Sequence, residues 1–214
     1  MSANYLKLCL VTDIKQQTIH EYKNFISQCI QGGITSVQLR AKQFKATELR
    51  QWALALKSIL QPQNIPLIIN DNVAIAKEID ADGVHLGQSD ISPQDARQLL
   101  GENKIIGWSV ETMLQLELAN QLTCIDYIAA SAIYPSKTKL DCKTIWQIDG
   151  LKEIVKKSKH PAVAIGGINL TNVQEVIEAG AAGVAIVSAI HDAADPVQLS
   201  ADLIKRINHV YQNY

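Results

Sequence analysis

Two aspartates follow two neighbouring apolar runs and together could hold a cation. Asp71 comes directly after 67–70, and Asp90 lies shortly after 83–86, with a helix-sized segment between the two runs. This order is typical of a βαβ unit, in which both strands end at the same edge of a parallel sheet. Neighbouring strands lie about 4.8 Å apart, so both carboxylates could reach one ion. Two hard oxygen ligands with room for others suit Mg²⁺ that bridges to a substrate phosphate.

A pair of cations follows another apolar run. In the segment Gln38-Leu39-Arg40-Ala41-Lys42, strand alternation sends Gln38 and Arg40 to the same side, with Lys42 beyond them. A guanidinium and an ammonium side by side suit a phosphate or diphosphate. A solvated basic turn is the alternative, but the glutamine in period with the arginine favours a binding function.

A second anion site is predicted near the end of the chain. Gly166 and Gly167 follow one apolar run, and Val187-Ser188 end the next. Glycines let backbone N–H groups approach an anion, and barrel enzymes often bind phosphate in their last two βα loops. A tight glycine turn is the alternative. Two anion sites with no nucleophile placed beside a base suit the joining of two phosphorylated substrates with loss of diphosphate.

Strand-like and helix-like segments alternate along the whole chain, and most of the strands are continuously apolar, as in parallel sheets covered on both faces. The predicted strands cover 6–12, 36–39, 66–69, 83–86, 104–108, 126–130, 162–165 and 183–187. The predicted helices lie near 18–31, 46–60, 73–79, 93–100, 111–122, 149–158, 171–179 and 196–211. Eight such units predict an α/β fold of the (β/α)₈ TIM barrel type, as a single domain over 1–214.

The alternative architecture is an open, doubly wound sheet. It is less favoured because the eighth unit is complete and no G-x-G-x-x-G follows the first strand. The one long connection, 131–148, is rich in polar residues and is expected to act as a mobile lid. Asp82 and Asp126 fall at strand starts, where a role in stability is expected.

Composition excludes several classes of partner. The 214 residues carry a net charge of -1, so no basic field attracts nucleic acid or a membrane surface. We find no signal peptide and no apolar run long enough to span a bilayer, which predicts a cytoplasmic protein. The four cysteines are scattered and are interpreted as reduced, mostly buried thiols. The expected partners are small phosphorylated molecules, and an oligomer is compatible with the sequence.

Taken together, these segments resemble the thiamine phosphate synthase family over essentially the whole chain. The resemblance rests on Val37-Gln-Leu-Arg-Ala-Lys42, Ile69-Asn-Asp71, Asp82-Gly-Val-His-Leu-Gly-Gln-Ser-Asp90, Pro135-Ser-Lys-Thr-Lys139, Ala164-Ile-Gly-Gly-Ile168 and Val187-Ser188. It implies that 4-amino-5-hydroxymethyl-2-methylpyrimidine diphosphate is joined to a thiazole phosphate, giving thiamine phosphate and diphosphate. It also implies Mg²⁺ as cofactor and a dissociative reaction, in which a pyrimidine-stabilised carbocation forms before the thiazole nitrogen attacks.

The resemblance assigns roles to individual residues. Asp71 and Asp90 would bind the metal, and Ser109 would lie near the pyrimidine and the leaving diphosphate. The pyrimidine diphosphate would be held by Gln38, Arg40, Lys42, Asn70 and Lys139. The thiazole phosphate would be held by Ser136, Thr138, Gly167, Val187 and Ser188. Arg40, Lys42, Lys139 and Ser109 would act in catalysis, the three cations by stabilising charge on the leaving group.

Four positions depart from the family pattern. Ala41 replaces a frequent acid, and Ser136 replaces threonine but keeps the hydroxyl. Ser131-Ala132 stand in place of a common Gly-Pro pair. Trp108 is bulkier than usual beside Ser109 and is expected to reshape the pyrimidine pocket.

Two other functions are possible on a barrel of this kind. A thiazole tautomerase on the same barrel would need an acid/base histidine shortly after Ser109, where this chain has Glu111. A non-catalytic barrel that binds thiamine precursors and regulates a partner would not need Asp71 and Asp90. The synthase is therefore favoured.

Lys139→Ala is expected to slow bond breaking, because the ammonium would no longer stabilise the leaving diphosphate. The rate of a single turnover, measured by rapid quench, checks this role. An unchanged rate would refute it.

Overall fold

Eight parallel strands close into a barrel, which confirms the predicted fold class. The computed structural model describes residues 3–136 and 142–213. The strands are β1 (Leu8–Val11), β2 (Ser36–Leu39), β3 (Leu67–Asn70), β4 (Gly83–Leu86), β5 (Ile105–Val110), β6 (Tyr127–Ser131), β7 (Ala162–Ile165) and β8 (Gly183–Ile186). Strand β1 pairs with β8 through Leu8–Val184 and Leu10–Ile186, so the sheet has no free edge.

Helices surround the barrel. They are α1 (Ile19–Gln31), α2 (Ala46–Leu60), α3 (Val73–Glu78), α4 (Pro93–Leu100), α5 (Met113–Ala119), α6 (Gln147–Lys157), α7 (Val173–Glu178), α8 (Ser188–His191) and α9 (Pro196–Gln212). A 3₁₀ turn over Ala3–Leu6 precedes β1, and another covers Gln61–Gln63. Helix α8 was not predicted, because four residues are too few to give a helical periodicity. Among the described residues, every helix is too short or too polar to cross a bilayer.

Local sequence signals explain several helix ends. Ser92 caps α4 by accepting from the Asp95 N–H at 3.1 Å, and Pro93 occupies the first turn. Thr18 and Glu21 form a reciprocal capping box at the start of α1. Gly33, with φ +94°, carries the chain out of α1 in a conformation that favours glycine.

Strand alternation divides the core into two layers. In β1, Leu8 and Leu10 pack outward against the helices, whereas Cys9 and Val11 point into the barrel. In β3, Ile69 packs outward and Ile68 lies inside. Because both faces of the sheet are covered, the strands are buried throughout. The same alternation decides which residues near the strand ends reach the interior of the barrel.

The amino-terminal rim of the barrel carries structural hydrogen bonds. Asp82 accepts from the Leu67 N–H at 2.8 Å, and Asp126 accepts from the Ile106 N–H at 2.8 Å. Arg97, only 11% exposed, donates to Asp126 at 2.9 Å. Its guanidinium also donates to the backbone carbonyls of Gly101, Glu102, Lys104 and Cys124. The stabilising role expected for Asp82 and Asp126 fits these contacts.

Arg97→Met is expected to lower the free energy of unfolding by about 2–4 kcal/mol, since several carbonyls and the Asp126 carboxylate lose a buried donor. Chemical denaturation measures the loss. Arg50→Met is the matched control, because Arg50 pairs with Glu78 at a half-exposed surface position and should cost at most about 1 kcal/mol. Equal losses in the two variants would contradict the structural role of Arg97.

Candidate active site

A cavity of about 480 Å³ occupies the carboxyl-terminal side of the barrel and continues into its interior as far as Tyr5 and Ser36. Its wall is formed by the inward-facing side chains of the strands and by the loops that follow them. Ten of the residues predicted for the site line this cavity: Gln38, Arg40, Lys42, Asn70, Asp71, Asp90, Ser109, Ser136, Val187 and Ser188.

The cationic wall comes from the end of β2. Gln38 is buried, and Arg40 and Lys42 follow it on the same side, as alternation predicted. The Arg40 backbone N–H donates to the Thr12 hydroxyl at 2.8 Å, and that hydroxyl donates to the Arg40 carbonyl at 3.0 Å. Thr12 is itself buried, so the ends of β1 and β2 are joined rigidly below the cations.

The acidic wall adjoins it at the ends of β3 and β4. Asp71 has φ +65°, a left-handed conformation that aspartate tolerates better than most residues. Its backbone N–H donates to the His85 carbonyl at 2.9 Å, and its carboxylate lies 3.4 Å from the Lys42 ammonium. Asp90 accepts from the Gly87 N–H at 2.6 Å. The turn after β4 therefore holds the Asp90 carboxylate, whereas the Asp71 carboxylate is held by Lys42.

The two carboxyl groups interact directly. Burial raises the pKa of Asp71, and the neighbouring negative charge of Asp90 raises it further, whereas Lys42 lowers it. Within the described residues, no cluster of three or more His, Cys, Asp and Glu side chains could hold a metal ion. A pair of hard carboxylates without nitrogen or sulfur ligands fits Mg²⁺, which commonly uses one or two carboxylates and completes its shell with water and phosphate.

A hydrogen-bonded chain crosses the interior of the barrel beneath the acidic wall. His85 is buried, with Nε2 at 2.9 Å from the Ser109 hydroxyl and Nδ1 at 3.0 Å from the Tyr127 hydroxyl. Gly107 makes room for this contact, because a Cβ there would lie 2.1 Å from the Tyr127 ring. Ser109 is thus oriented by His85, which lies inside the barrel.

The ends of β7 and β8 form the opposite wall. Gly166 lines the cavity together with Val187 and Ser188, whereas Gly167 is not among the lining residues. Gly167 has φ +64°, and a Cβ there would lie 2.7 Å from the Pro135 carbonyl oxygen. Gly167 therefore lets the loop after β6 pack closely against the end of β7.

The loop after β6 contributes to the wall through both of its described parts. Ser136 lines the cavity, as do Cys142 and Lys143. Two predicted site residues, Thr138 and Lys139, lie outside the described residues. The lid function of 131–148 stays a prediction, and α6 begins one residue before the expected end of that loop.

One expectation was wrong. Trp108 does not border the cavity, because its neighbours Gly107 and Ser109 point inward and strand alternation turns Trp108 outward. It packs in the core between strands and helices and is 9% exposed. Its bulk is therefore accommodated in the core outside the barrel, and not in the pocket beside Ser109.

Several lining residues were not predicted for the site. Glu111 is buried and continues the inward series of Gly107 and Ser109, and Ser131 ends the inward series of β6. Extending the alternation to the strand ends could have found both. Cys142 and Lys143 carried no such signal, because an irregular loop has no period.

The burial of the cysteines agrees in part with expectation. Cys9 and Cys29 are buried, and burial raises the pKa of Cys9 to about 11 and that of Cys29 to about 12. Cys124 and Cys142 are partly exposed. The expectation of mostly buried thiols therefore holds for two of the four positions.

Comparison with protein families identifies one model that covers most of the chain. The model described as thiamine monophosphate synthase matches residues 8–190. Two curated proteins named thiamine-phosphate synthase are each 46% identical to the chain. The one from Chlamydia abortus aligns over 95% of both chains, and the one from Vibrio parahaemolyticus over 94% of this chain and 98% of its own.

Solved structures agree with these relatives. The thiamine phosphate pyrophosphorylase from Pyrococcus furiosus superimposes with a TM-score of 0.87 at 31% identity, covering 97% of this chain and 98% of its own. A 3-hexulose-6-phosphate synthase superimposes with a TM-score of 0.73 at 17% identity, which reflects the shared barrel fold alone.

Asp90→Asn is expected to raise the free energy of unfolding of the metal-free protein by about 0.5–1 kcal/mol, because it removes a like charge beside Asp71 and can keep the acceptor for Gly87. Denaturation in the presence of a chelator measures the change. Asp202→Asn on α9 makes the same charge change far from the cavity and should stay within about 0.5 kcal/mol of the original protein. A clear loss of stability in Asp90→Asn alone would contradict the repulsion.

Proposed function

Because the chain belongs to the thiamine monophosphate synthase family, we propose that it is a transferase that joins 4-amino-5-hydroxymethyl-2-methylpyrimidine diphosphate to a thiazole phosphate. The products are thiamine phosphate and diphosphate. We further propose that residues 1–214 act as one domain, that the partners are these phosphorylated small molecules, and that the enzyme works in the cytoplasm.

The observation that carries this proposal is the presence of two different anion-binding walls in one cavity. Arg40 and Lys42, beside Asp71 and Asp90, suit a diphosphate with its metal. The ends of β7 and β8 lie across the closed barrel from β3 and β4, and present Gly166 and Ser188. A cavity with one anion-binding wall on each side suits two phosphorylated substrates. Each would bind one wall through its phosphate groups, and the reacting atoms would meet between the walls.

The first chemical step is cleavage of the bond between the pyrimidine methylene carbon and the diphosphate oxygen. The diphosphate leaves with the electron pair, so negative charge grows on it while positive charge grows on the pyrimidine. Arg40 and Lys42 stabilise the growing negative charge, and Lys139 is proposed to join them. The thiazole nitrogen then supplies its lone pair to the methylene carbon, so no strong general base is needed.

Asp71 and Asp90 are proposed to hold Mg²⁺ through their carboxylate oxygens. When bound, the ion would neutralise charge on the diphosphate oxygens and so lower the barrier to bond cleavage. Lys42 lies 3.4 Å from the Asp71 carboxylate, and its positive charge opposes the rise in the pKa of that group that burial and Asp90 cause. The cation of β2 therefore serves both the substrate and the metal ligand.

The remaining site residues are proposed to bind and orient the substrates. Gln38 and Asn70 would bind the pyrimidine diphosphate with the cations. Ser109 would lie near the pyrimidine and the leaving group, oriented by its hydrogen bond to His85. Ser136, Thr138, Val187 and Ser188 would bind the thiazole phosphate. Gly167, which does not line the cavity, would serve this site by letting the loop after β6 pack against the end of β7.

The tautomerase alternative is less well supported. Its acid/base histidine would be needed just after Ser109, and the buried residue there is Glu111. A non-catalytic barrel is also less well supported, because Asp71 and Asp90 are kept side by side at a cost in charge repulsion.

The proposal is tested by mixing the purified protein with both phosphorylated precursors, with Mg²⁺ or with a chelator, and measuring thiamine phosphate by chromatography. Product is expected only with the metal. Asp90→Asn should lower turnover by at least about 100-fold, more than is typical when a group that only orients a metal ligand is changed.

Asp202→Asn is the control and should keep the turnover of the original protein. No product from the original protein with Mg²⁺ present would overturn the synthase function. Full turnover of Asp90→Asn at limiting Mg²⁺ would remove Asp90 from the proposed metal site.

A further inference from the structure

His191 connects the end of β8 to helix α1 and to the loop after β1. It is the last residue of α8, the short helix that starts at Ser188. Its Nδ1 lies 2.8 Å from the Val187 carbonyl oxygen, and its Nε2 lies 2.7 Å from the Tyr22 hydroxyl. The Asp13 backbone N–H also points to Nε2, at 3.2 Å. One imidazole therefore joins α8 to α1 and to the loop after β1.

The partners determine the form of this imidazole. The Val187 carbonyl can only accept, so Nδ1 must carry the proton. The Asp13 N–H can only donate, and it lies 3.2 Å from both Nε2 and the Tyr22 hydroxyl oxygen. Nε2 can receive this proton, and that of the Tyr22 hydroxyl, only as an acceptor. All three contacts are made only by the neutral Nδ1–H tautomer.

The surroundings favour this neutral form. Burial lowers the pKa of His191, and the ammonium of Lys15 lowers it further. The hydrogen bond to Val187 and the carboxylates of Asp13 and Asp192 act in the opposite direction. The imidazole ring also packs against the Phe25 ring, with centroids 4.8 Å apart, so its orientation is fixed by contacts on both sides.

We infer that His191 is a positioning residue for the thiazole phosphate, which it serves by holding Val187 and Ser188 at the cavity wall. This inference rests on the proposed function of those two residues. Tyr22 is 1% exposed and lies against Trp52 in the core, so it provides a rigid anchor for the imidazole. His191 itself is not among the residues that line the cavity. Its effect must therefore pass through the backbone at Val187.

The test measures KM for each substrate and kcat in a graded series of variants. His191→Ala should raise KM for the thiazole phosphate by about tenfold, the effect of one or two lost neutral hydrogen bonds. KM for the pyrimidine diphosphate should stay within about twofold by the same reasoning, since β2, β3 and β4 are untouched. His191→Gln can keep an acceptor near the Nε2 position and should fall between the original protein and His191→Ala.

Tyr22→Phe gives a second, independent variant. It removes the hydroxyl that holds Nε2 and that also accepts from the Asp13 N–H at 3.2 Å, keeps the aromatic packing, and should raise the same KM in the same direction. His160→Asn is the matched control, because His160 bonds to the Ala119 carbonyl at 3.0 Å near the start of β7, at the other rim of the barrel. It should leave both KM values unchanged.

Three results would overturn the inference. They are an unchanged KM for the thiazole phosphate in folded His191→Ala, an equal rise of both KM values, or an unchanged KM in Tyr22→Phe if His191→Ala does not fold. The original protein is assayed first, with both substrates and Mg²⁺. Its failure to form thiamine phosphate would overturn the proposed function, whereas an active original protein with unselective variants would overturn only the role of His191.

Discussion

Closure of eight parallel strands into a barrel is the constraint on which the rest of this structure depends. A closed parallel sheet is covered on both faces, so the strands are mostly apolar. It also brings all eight carboxyl-terminal strand ends to one rim. Apart from the interior contacts of His85, polar groups are therefore gathered mainly at the strand ends and in the loops that follow. The cations after β2, the carboxylates after β3 and β4, and the glycines after β7 occupy these places.

The two rims of the barrel have different functions. At the amino-terminal rim, Arg97, Asp82 and Asp126 have hydrogen-bond partners that satisfy their charges, and these contacts stabilise the fold. At the carboxyl-terminal rim, Asp71 has positive φ and lies against the like charge of Asp90. Like charges held side by side repel one another, which fits the proposed role of the two carboxylates in holding a cation. Stability and ligand binding are thus assigned to opposite ends of the same strands.

Small and buried residues make room for the site and orient it. Gly107 allows Tyr127 to approach His85, which in turn holds Ser109. His191 provides a comparable connection on the other side of the barrel, between α8 and Tyr22. In both places a hydrogen-bond network fixes a group at the cavity wall. Groups proposed to touch the substrates are therefore positioned by residues that lie behind them.

The sequence by itself determined the fold and much of the site, because both follow from local periodicity. Continuous apolar runs alternating with amphipathic segments predicted eight strands, and polar residues at their ends predicted the rim. Alternation with a period of two also placed Gln38 and Arg40 on one side. These signals are contained within a few consecutive residues, so they can be recognised without knowing what lies across the barrel.

Only the tertiary structure decided the contacts between distant segments. It turned Trp108 away from the pocket, because the inward direction in β5 depends on the register with β4 and β6. It brought Lys143 to the cavity from an irregular loop, and it joined His191 to Tyr22 across 169 positions of the chain. Such contacts depend on how the strands close and how the helices pack around them, and no local pattern in the sequence records that geometry.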